Sequence, residues 1–116
     1  MSLNDRPAVV LLLNTATAEA EAVAAGLEEE GIPFELEYAD EVSDLASAAY
    51  DASVRSGLGV GLAMQSPYAC LHLKKLPPDR PFLCCTVADI DEARLLGGDA
   101  ARVVKGLPLR FPRLEV

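Results

Sequence analysis

The sequence predicts an α/β sandwich whose sheet is mainly parallel and contains one antiparallel strand. Apolar runs alternate along the chain with helix-forming segments, at lengths typical of strands and helices. The first run is apolar throughout, as expected for a strand that is buried on both faces. The third and fourth predicted strands are separated by only a few residues. Because a parallel crossover needs a longer connection, we expect the fourth strand to run antiparallel.

The first strand and the first helix have clear signals. Residues 8–13 (AVVLLL) form the apolar run. Residues 18–30 are rich in alanine and glutamate, which favour a helix, and Gly31 is suited to its C-terminal cap. Three residues before this helix can cap its N-terminus: Asn14, Thr15 and Thr17.

The middle of the chain predicts three strands and one helix. Residues 33–38 (PFELEY) alternate apolar and acidic side chains, which indicates a strand near a sheet edge with one face in water. Residues 41–55 predict the second helix, and residues 59–63 (GVGLA) predict a short buried strand. Residues 68–73 (YACLHL) predict the fourth strand.

The last third of the chain predicts one more strand and one more helix. Residues 81–87 (PFLCCTV) form the fifth predicted strand. Residues 89–105 form the third predicted helix, with a break at residues 97–98 (Gly-Gly) and Gly106 at its end. The tail, residues 107–116, shows no regular pattern.

Composition and charge indicate one folded, acidic domain over residues 1–116. Hydrophobic residues make up 51 % of the chain, which favours folding over disorder. The net charge is −8 and is uneven. Residues 1–60 carry twelve acidic and two basic residues, a balance of −10, whereas residues 61–116 carry six and eight, a balance of +2. Such a chain is a poor candidate for binding nucleic acid or an anionic membrane, and its asymmetry favours docking to a partner through the acidic side.

The N-terminus predicts no targeting or membrane segment. The start, MSLND, is acidic and polar, and the run at 8–13 is too short to span a bilayer and lacks a basic leader. We therefore expect a cytoplasmic protein.

Residue types that often carry catalysis favour structural roles here. His72 is the only histidine, and nothing in the sequence supplies the orienting partner or nucleophile that a catalytic base needs. Cys84 and Cys85 are consecutive on a predicted strand, so their side chains point to opposite faces and cannot hold one metal ion together. We interpret both, with Cys70, as small buried hydrophobic residues without a disulfide framework, and leave one reactive thiol open.

Glycines and basic residues also have structural explanations. Gly57, Gly59 and Gly61 follow a helix and lead into a strand, which is the reverse of a dinucleotide-binding loop. They therefore indicate close packing of a helix end onto the sheet. The C-terminal region carries five separated basic residues: Arg94, Arg102, Lys105, Arg110 and Arg113. Cations are favoured in the last turn of a helix, which accounts for Arg102 and Lys105. A partner-facing role stays open for Arg110 and Arg113.

Three glutamates, Glu28, Glu29 and Glu30, stand at the C-terminal end of the first helix, where the helix dipole disfavours acids. On a helical wheel, one apolar stripe is formed by Ala20, Val23, Ala24 and Leu27. Glu29 points almost directly away from this stripe. A solvated helix face would explain the three acids. So would a divalent cation brought by a second chain, because hard cations prefer carboxylate oxygens.

Four segments carry a resemblance to a known family: GLEEEGIPFEL at 26–36, VGLA at 60–63, LHLKKLP at 71–77 and ARVVKGLPLR at 101–110. In this order and at these spacings, they resemble the small (beta) subunit of the reactivating factor for coenzyme B12-dependent diol or glycerol dehydratase. That family is related to the medium subunit of the dehydratase itself. The resemblance covers about residues 8–110. Leu73, Lys75 and part of the basic tail depart from it.

The resemblance implies a fold and a role. The fold is a three-layer α/β/α sandwich with a five-stranded mixed sheet whose fourth strand is antiparallel. The role is that of a non-catalytic subunit of a chaperone-like reactivase. Its partners are a large, actin-like ATPase subunit, which holds the ATP or ADP, and the subunits of the dehydratase. The small subunit exchanges with the dehydratase medium subunit, so that damaged cobalamin is released. Association with a bacterial microcompartment stays open.

The resemblance also assigns a role to Glu29. It implies that this carboxylate reaches Mg²⁺ or another divalent cation held mainly by the large subunit, while the chain alone binds no cofactor. We expect the partner interface to span the first helix and the C-terminal tail. The isolated chain is expected to self-associate through an exposed apolar patch on that surface.

Two other functions are weighed against this one. The first is a medium subunit of a B12-dependent diol or glycerol dehydratase. Medium subunits carry an added N-terminal segment, whereas this chain begins its first predicted strand within ten residues of its start. The second is a free-standing α/β binding module or a small thiol enzyme, which would need a pocket and an activity of its own. We expect neither.

Overall fold

The computed structural model describes residues 6–110. In that range it contains five strands and three helices, in the order β1 (Val9–Leu13), α1 (Ala18–Glu29), β2 (Phe34–Tyr38), α2 (Leu45–Arg55), β3 (Val60–Gln65), β4 (Tyr68–Leu73), β5 (Leu83–Thr86) and α3 (Ile90–Lys105). Every predicted element is present. None of the helices described is long and apolar enough to cross a membrane.

The five strands form one mixed sheet in the order β2-β1-β3-β4-β5. β1 pairs in parallel with both β2 and β3, whereas β4 runs antiparallel to β3 and β5. Helices α1 and α3 pack together on one face, and α2 covers the other. The predicted three-layer α/β/α sandwich with an antiparallel fourth strand is therefore confirmed.

Side-chain caps fix where the helices begin. The Thr17 hydroxyl, one of the three predicted caps, accepts a hydrogen bond from the Ala20 N–H (3.1 Å) and starts α1. The Asp44 carboxylate accepts one from the Ser47 N–H (3.2 Å) and starts α2. The predicted start of the second helix at residue 41 was therefore wrong, because this cap makes Leu45 the first helical residue, four positions later.

The core lies on both faces of the sheet, and β1 connects its two halves. Val9, Leu11 and Leu13 pack under α1 and α3, whereas Val10 and Leu12 pack under α2. All five residues are buried. Their alternation explains why the run is apolar at every position, as predicted for a strand covered on both sides.

Helix α3 continues without interruption through Gly97 and Gly98, so the predicted break was wrong. The reason is the crossing of α1 and α3. A Cβ atom on Gly97 would collide with the backbone of Val23, and one on Gly26 would collide with the carbonyl oxygen of Arg94. The glycines therefore let the two backbones touch, at the expense of helix propensity.

Gly61 has the same use on the opposite face of the sheet. A Cβ atom there would lie 2.5 Å from the Ala49 carbonyl oxygen and 2.7 Å from the Ala52 carbonyl carbon of α2. The interpretation of this glycine as a point of close helix–sheet packing is confirmed.

The cysteines depart from the prediction. Cys70 and Cys84 form a disulfide bond, and Cys85 is free and half-buried. Cys70 and Cys84 lie directly opposite each other on β4 and β5, with a Cα–Cα distance of 4.1 Å. The interpretation of Cys70 and Cys84 as unbonded residues was therefore wrong, because it used spacing along the chain and lacked the pairing register of the two strands. Cys85 is unbonded, as interpreted.

Candidate partner-binding surface

The three glutamates lie where α1 ends. Gly31 adopts the left-handed conformation (φ +74°). The Ile32 N–H then donates to the Leu27 carbonyl (3.1 Å), and the Gly31 N–H donates to the Glu28 carbonyl (2.9 Å). This cap stops the helix directly after Glu29 and holds all three glutamates at the surface.

Two of the three glutamates are neutralised from within the chain. Glu29 Oε2 lies 3.3 Å from Arg94 Nε of α3. Glu30 Oε1 lies 3.1 Å from Lys105 Nζ, and its Oε2 lies 3.6 Å from Arg110 Nη2. The hydrogen bond from Lys105, with weaker attraction from neighbouring cations, lowers the pKa of Glu30 below its ordinary value. Cations from α3 and the following segment therefore offset the unfavourable position of these acids on the helix dipole.

These contacts give Lys105 and Arg110 roles that the sequence did not predict. Lys105 was interpreted only as a cation at the end of its own helix, whereas it joins α3 to α1 across 75 positions of sequence. A partner-facing role was left open for Arg110, and this residue pairs with Glu30 within the chain. Arg113, the other residue left open for a partner, lies outside the described residues.

Asp99 anchors the segment that follows α3, a contact that sequence reasoning missed. It is fully buried in α3, and its Oδ1 accepts a hydrogen bond from the Arg110 backbone N–H (2.7 Å). This contact folds the segment after α3 back toward the end of α1. The sequence signal for this contact was a single acidic residue, Asp99, among the small residues of the buried face of α3. A buried charge needs a hydrogen-bonding or charged partner.

Glu28 borders an apolar groove between α1 and β2. The groove has a volume of about 290 Å³. Its apolar lining consists of Leu13, Ala16, Ala20, Ala24, Phe34, Leu36 and Tyr38. Leu36 and Tyr38 are 46 % and 59 % exposed, which makes this face of the edge strand β2 an apolar patch on the surface. We call this feature the α1–β2 groove.

Glu29 is the residue that the sequence assigned to a divalent cation. Its side chain is 55 % exposed, so a metal held by another chain could reach it once Arg94 is displaced. Among residues 6–110, no group of three or more His, Cys, Asp or Glu side chains is placed to hold a metal ion. Glu29 can therefore contribute one ligand to a shared site.

His72 is part of the core. It is fully buried, its Nδ1 accepts a hydrogen bond from the Leu73 N–H (2.8 Å), and its Nε2 lies 3.2 Å from the Pro78 carbonyl oxygen. Its ring also contacts the Tyr50 ring edge-on, with the centroids 5.2 Å apart. Both ring nitrogens are used, so the arrangement fits the predicted structural role.

Comparison with models of known families identifies the family to which the chain belongs. The family model described as dehydratase medium subunit matches residues 6–110. The chain belongs to this family.

Proteins that are similar in sequence to this chain include reactivating-factor small subunits. The chain is 36 % identical over 111 residues to the propanediol dehydratase-reactivating factor small subunit of Salmonella typhimurium, covering 94 % of this chain and 95 % of that protein. It is 42 % identical over 89 residues to the diol dehydratase-reactivating factor small subunit of Klebsiella michiganensis, covering 76 % and 70 %.

Solved structures that resemble this chain are also reactivating factors. The chain matches a chain in the structure of diol dehydratase-reactivating factor complexed with ADP and Mg²⁺, with a TM-score of 0.81, 32 % identity, and coverage of 91 % of this chain and 99 % of that one. It matches a glycerol dehydratase reactivase chain with a TM-score of 0.80, 32 % identity, and coverage of 90 % and 97 %. The prediction of a reactivating-factor small subunit is confirmed, and these relatives do not support the alternative of a dehydratase medium subunit.

Proposed function

We propose that the chain is the non-catalytic small subunit of a chaperone-like reactivase for a coenzyme B12-dependent diol or glycerol dehydratase. The observation that carries this proposal is the match over nearly the whole chain, both to the dehydratase medium subunit family and to reactivase small subunits. A chain with the fold of the medium subunit can present a similar docking surface. It can therefore take the place of that subunit on the dehydratase, which opens the complex and releases damaged cobalamin.

A non-catalytic role is supported by how the reactive side chains are used. His72 has both ring nitrogens occupied inside the core. Burial raises the pKa of the Cys85 thiol to about 11, with a smaller contribution from the Glu92 carboxylate, so the nucleophilic thiolate is scarce at neutral pH. ATP hydrolysis would belong to the large, actin-like subunit, where nucleotide state changes the affinity between subunits.

Glu29 is proposed to bridge a divalent cation that the large subunit holds. Its carboxylate suits Mg²⁺, which usually takes one or two protein carboxylates beside phosphates and water. A related reactivating factor was solved with ADP and Mg²⁺. The Arg94 pair that Glu29 would give up is half exposed, and such a pair is worth at most about 1 kcal/mol. A metal carboxylate contact can offset this loss.

The α1–β2 groove is proposed to form the apolar part of the same interface. It adjoins the end of α1 through Glu28, so one partner could cover the groove and reach Glu29 together. Its exposed side chains, Leu36 and Tyr38, would also drive self-association of the isolated chain.

The function is tested by a reactivation assay. Diol or glycerol dehydratase, inactivated by its substrate, is incubated with the large subunit, ATP, Mg²⁺ and fresh coenzyme, with and without this chain. We expect activity to return, and damaged cobalamin to be released, only when the chain is present. Equal recovery without the chain would show that it is not the small subunit of this reactivase.

The role of Glu29 is tested by Glu29→Gln, with Glu28→Gln as the matched control. Both variants remove one exposed charge from the same helix end. We expect EDTA to weaken binding of the wild type and of Glu28→Gln to the large subunit by about tenfold, equal to about 1.4 kcal/mol. Binding of Glu29→Gln should not respond to EDTA. The bridging role would be wrong if Glu29→Gln kept the wild-type response, and that result would leave the reactivation assay unaffected.

A further inference from the structure

The disulfide joins two positions that differ sharply in access to solvent. Cys70 is 7 % exposed and packs under α2. Cys84 is exposed and lies on β5, the last strand at one edge of the sheet. Cys84 is therefore the member of the pair that an external thiolate can approach from solvent, whereas Cys70 is covered.

The fold supports both the bonded and the reduced state. Cys70 and Cys84 are opposite residues in the β4–β5 ladder, and neighbouring residues such as Ala69 and Leu71 pair with β5 in the same register. Leu71 and Leu83 are also buried in the core. The strand pairing therefore stays in place when the covalent bond opens, and the two thiols remain side by side for closure.

The third cysteine is kept out of this chemistry. Cys85 points to the opposite face of β5 and packs against the core under α1 and α3. Burial and the nearby Glu92 carboxylate raise its pKa to about 11, so little thiolate forms at neutral pH. Exchange within the chain is thus confined to one pair.

We propose that Cys70 and Cys84 form a reversible thiol–disulfide site that exchanges with low-molecular-weight thiols of the glutathione type. In the opening direction, an external thiolate attacks Cys84 Sγ, a mixed disulfide forms there, and Cys70 leaves with the electron pair and takes up a proton. A second external thiolate then attacks the external sulfur of the mixed disulfide and releases Cys84 as a thiolate. The protein gains two thiols, and two external thiols become one disulfide.

The closed site links β4 to β5 covalently, one residue pair away from the turn end of their ladder. The bond has a sequence separation of 14 and encloses the turn in which the Pro78 carbonyl contacts His72. Closing a loop of this length restricts the unfolded chain. We expect reduction to lower the melting temperature by about 10 °C while the fold is kept.

The test uses the full chain in glutathione buffers of increasing oxidised fraction, followed by denaturing alkylation and intact mass measurement. We expect the wild type to go reversibly from three alkylated thiols to one. Cys85→Ser should go from two to none and show the same fall in melting temperature on reduction. Cys84→Ser should keep two alkylated thiols in every buffer, with an unchanged melting temperature.

Three results would overturn the proposal. One is three alkylated thiols in the wild type even in the most oxidising buffer. Another is a bond that Cys85→Ser abolishes or a disulfide-linked dimer mass. The last is a bond that reduced glutathione opens only after denaturant is added, because it would then be a permanent structural crosslink.

Discussion

Gly97→Ala should destabilise the protein because the added methyl group meets backbone and has no room. The nearest atoms of α1 are the carbonyl oxygen and carbonyl carbon of Val23, and the carbon lies 2.8 Å from the point that a Cβ atom would occupy. A helix backbone cannot turn aside as a side chain can, so α3 has to move away from α1. Overpacking of this kind costs about 3 kcal/mol, and the gain in helix propensity returns about 1 kcal/mol. We therefore expect a net loss of about 2 kcal/mol.

Gly98→Ala is the matched control in the next position of the same helix. Its Cβ atom would meet only the guanidinium end of Arg110, which is flexible. Moving that group weakens the long contacts of Arg110 with Glu30 (3.6 Å) and with the buried Asp99 (4.0 Å). We expect this to cost about 1 kcal/mol, close to the gain in helix propensity. We expect its stability to stay within about 0.5 kcal/mol of the wild type. Urea unfolding measures both variants. The explanation by helix crossing would be refuted by Gly97→Ala at wild-type stability, or by an equal loss in both variants.

Three further predictions concern other contacts. Glu30 has a lowered pKa in the folded state, so its contribution to stability is present above its ordinary pKa of 4.5 and is lost as the pH falls through the folded-state pKa. Urea unfolding should therefore show that the wild type loses more stability than Glu30→Gln between about pH 5 and pH 3. Equal losses in the two proteins would contradict this. His72→Leu leaves the buried Leu73 N–H without its acceptor and should cost about 1–3 kcal/mol; unchanged thermal stability would argue against that hydrogen bond. Leu36→Lys should weaken binding to the large subunit about tenfold, because it places a charge in the apolar α1–β2 groove. Val54→Lys, equally exposed at 46 % but on α2, should leave binding unchanged. Equal effects of both variants in a binding titration would show that the α1–β2 groove is not part of the interface.

Elements whose signal is local were predictable from the sequence. The apolar run of β1 and the Thr17 cap of α1 each depend on only a few consecutive residues. The antiparallel direction of β4 followed from the short link to β3, which is a limit of chain length. Gly31 marked the end of α1, because it frees the chain to adopt a positive φ.

Features that depend on two distant segments were missed. The bond between Cys70 and Cys84 follows from the register of β4 against β5, which spacing along the chain does not reveal. The Gly97-Gly98 pair looked like a helix break, because its use depends on α1 lying against it. The pairing of Glu30 with Lys105 likewise needs the α1–α3 crossing. The outward position of Glu29 was predictable from the helical wheel, whereas its contact with Arg94 was not.

The most direct test of the proposed function is capture of the natural partner. The tagged chain is used as bait in extracts of the native cells, in ADP with Mg²⁺, in ATP with Mg²⁺, and in EDTA, and the retained proteins are identified by mass spectrometry. We expect a large actin-like ATPase subunit to be held in ADP and Mg²⁺ and to be released in EDTA. Recovery of dehydratase subunits with bound cobalamin, and without that ATPase, would contradict the reactivase assignment and favour a structural subunit of the dehydratase.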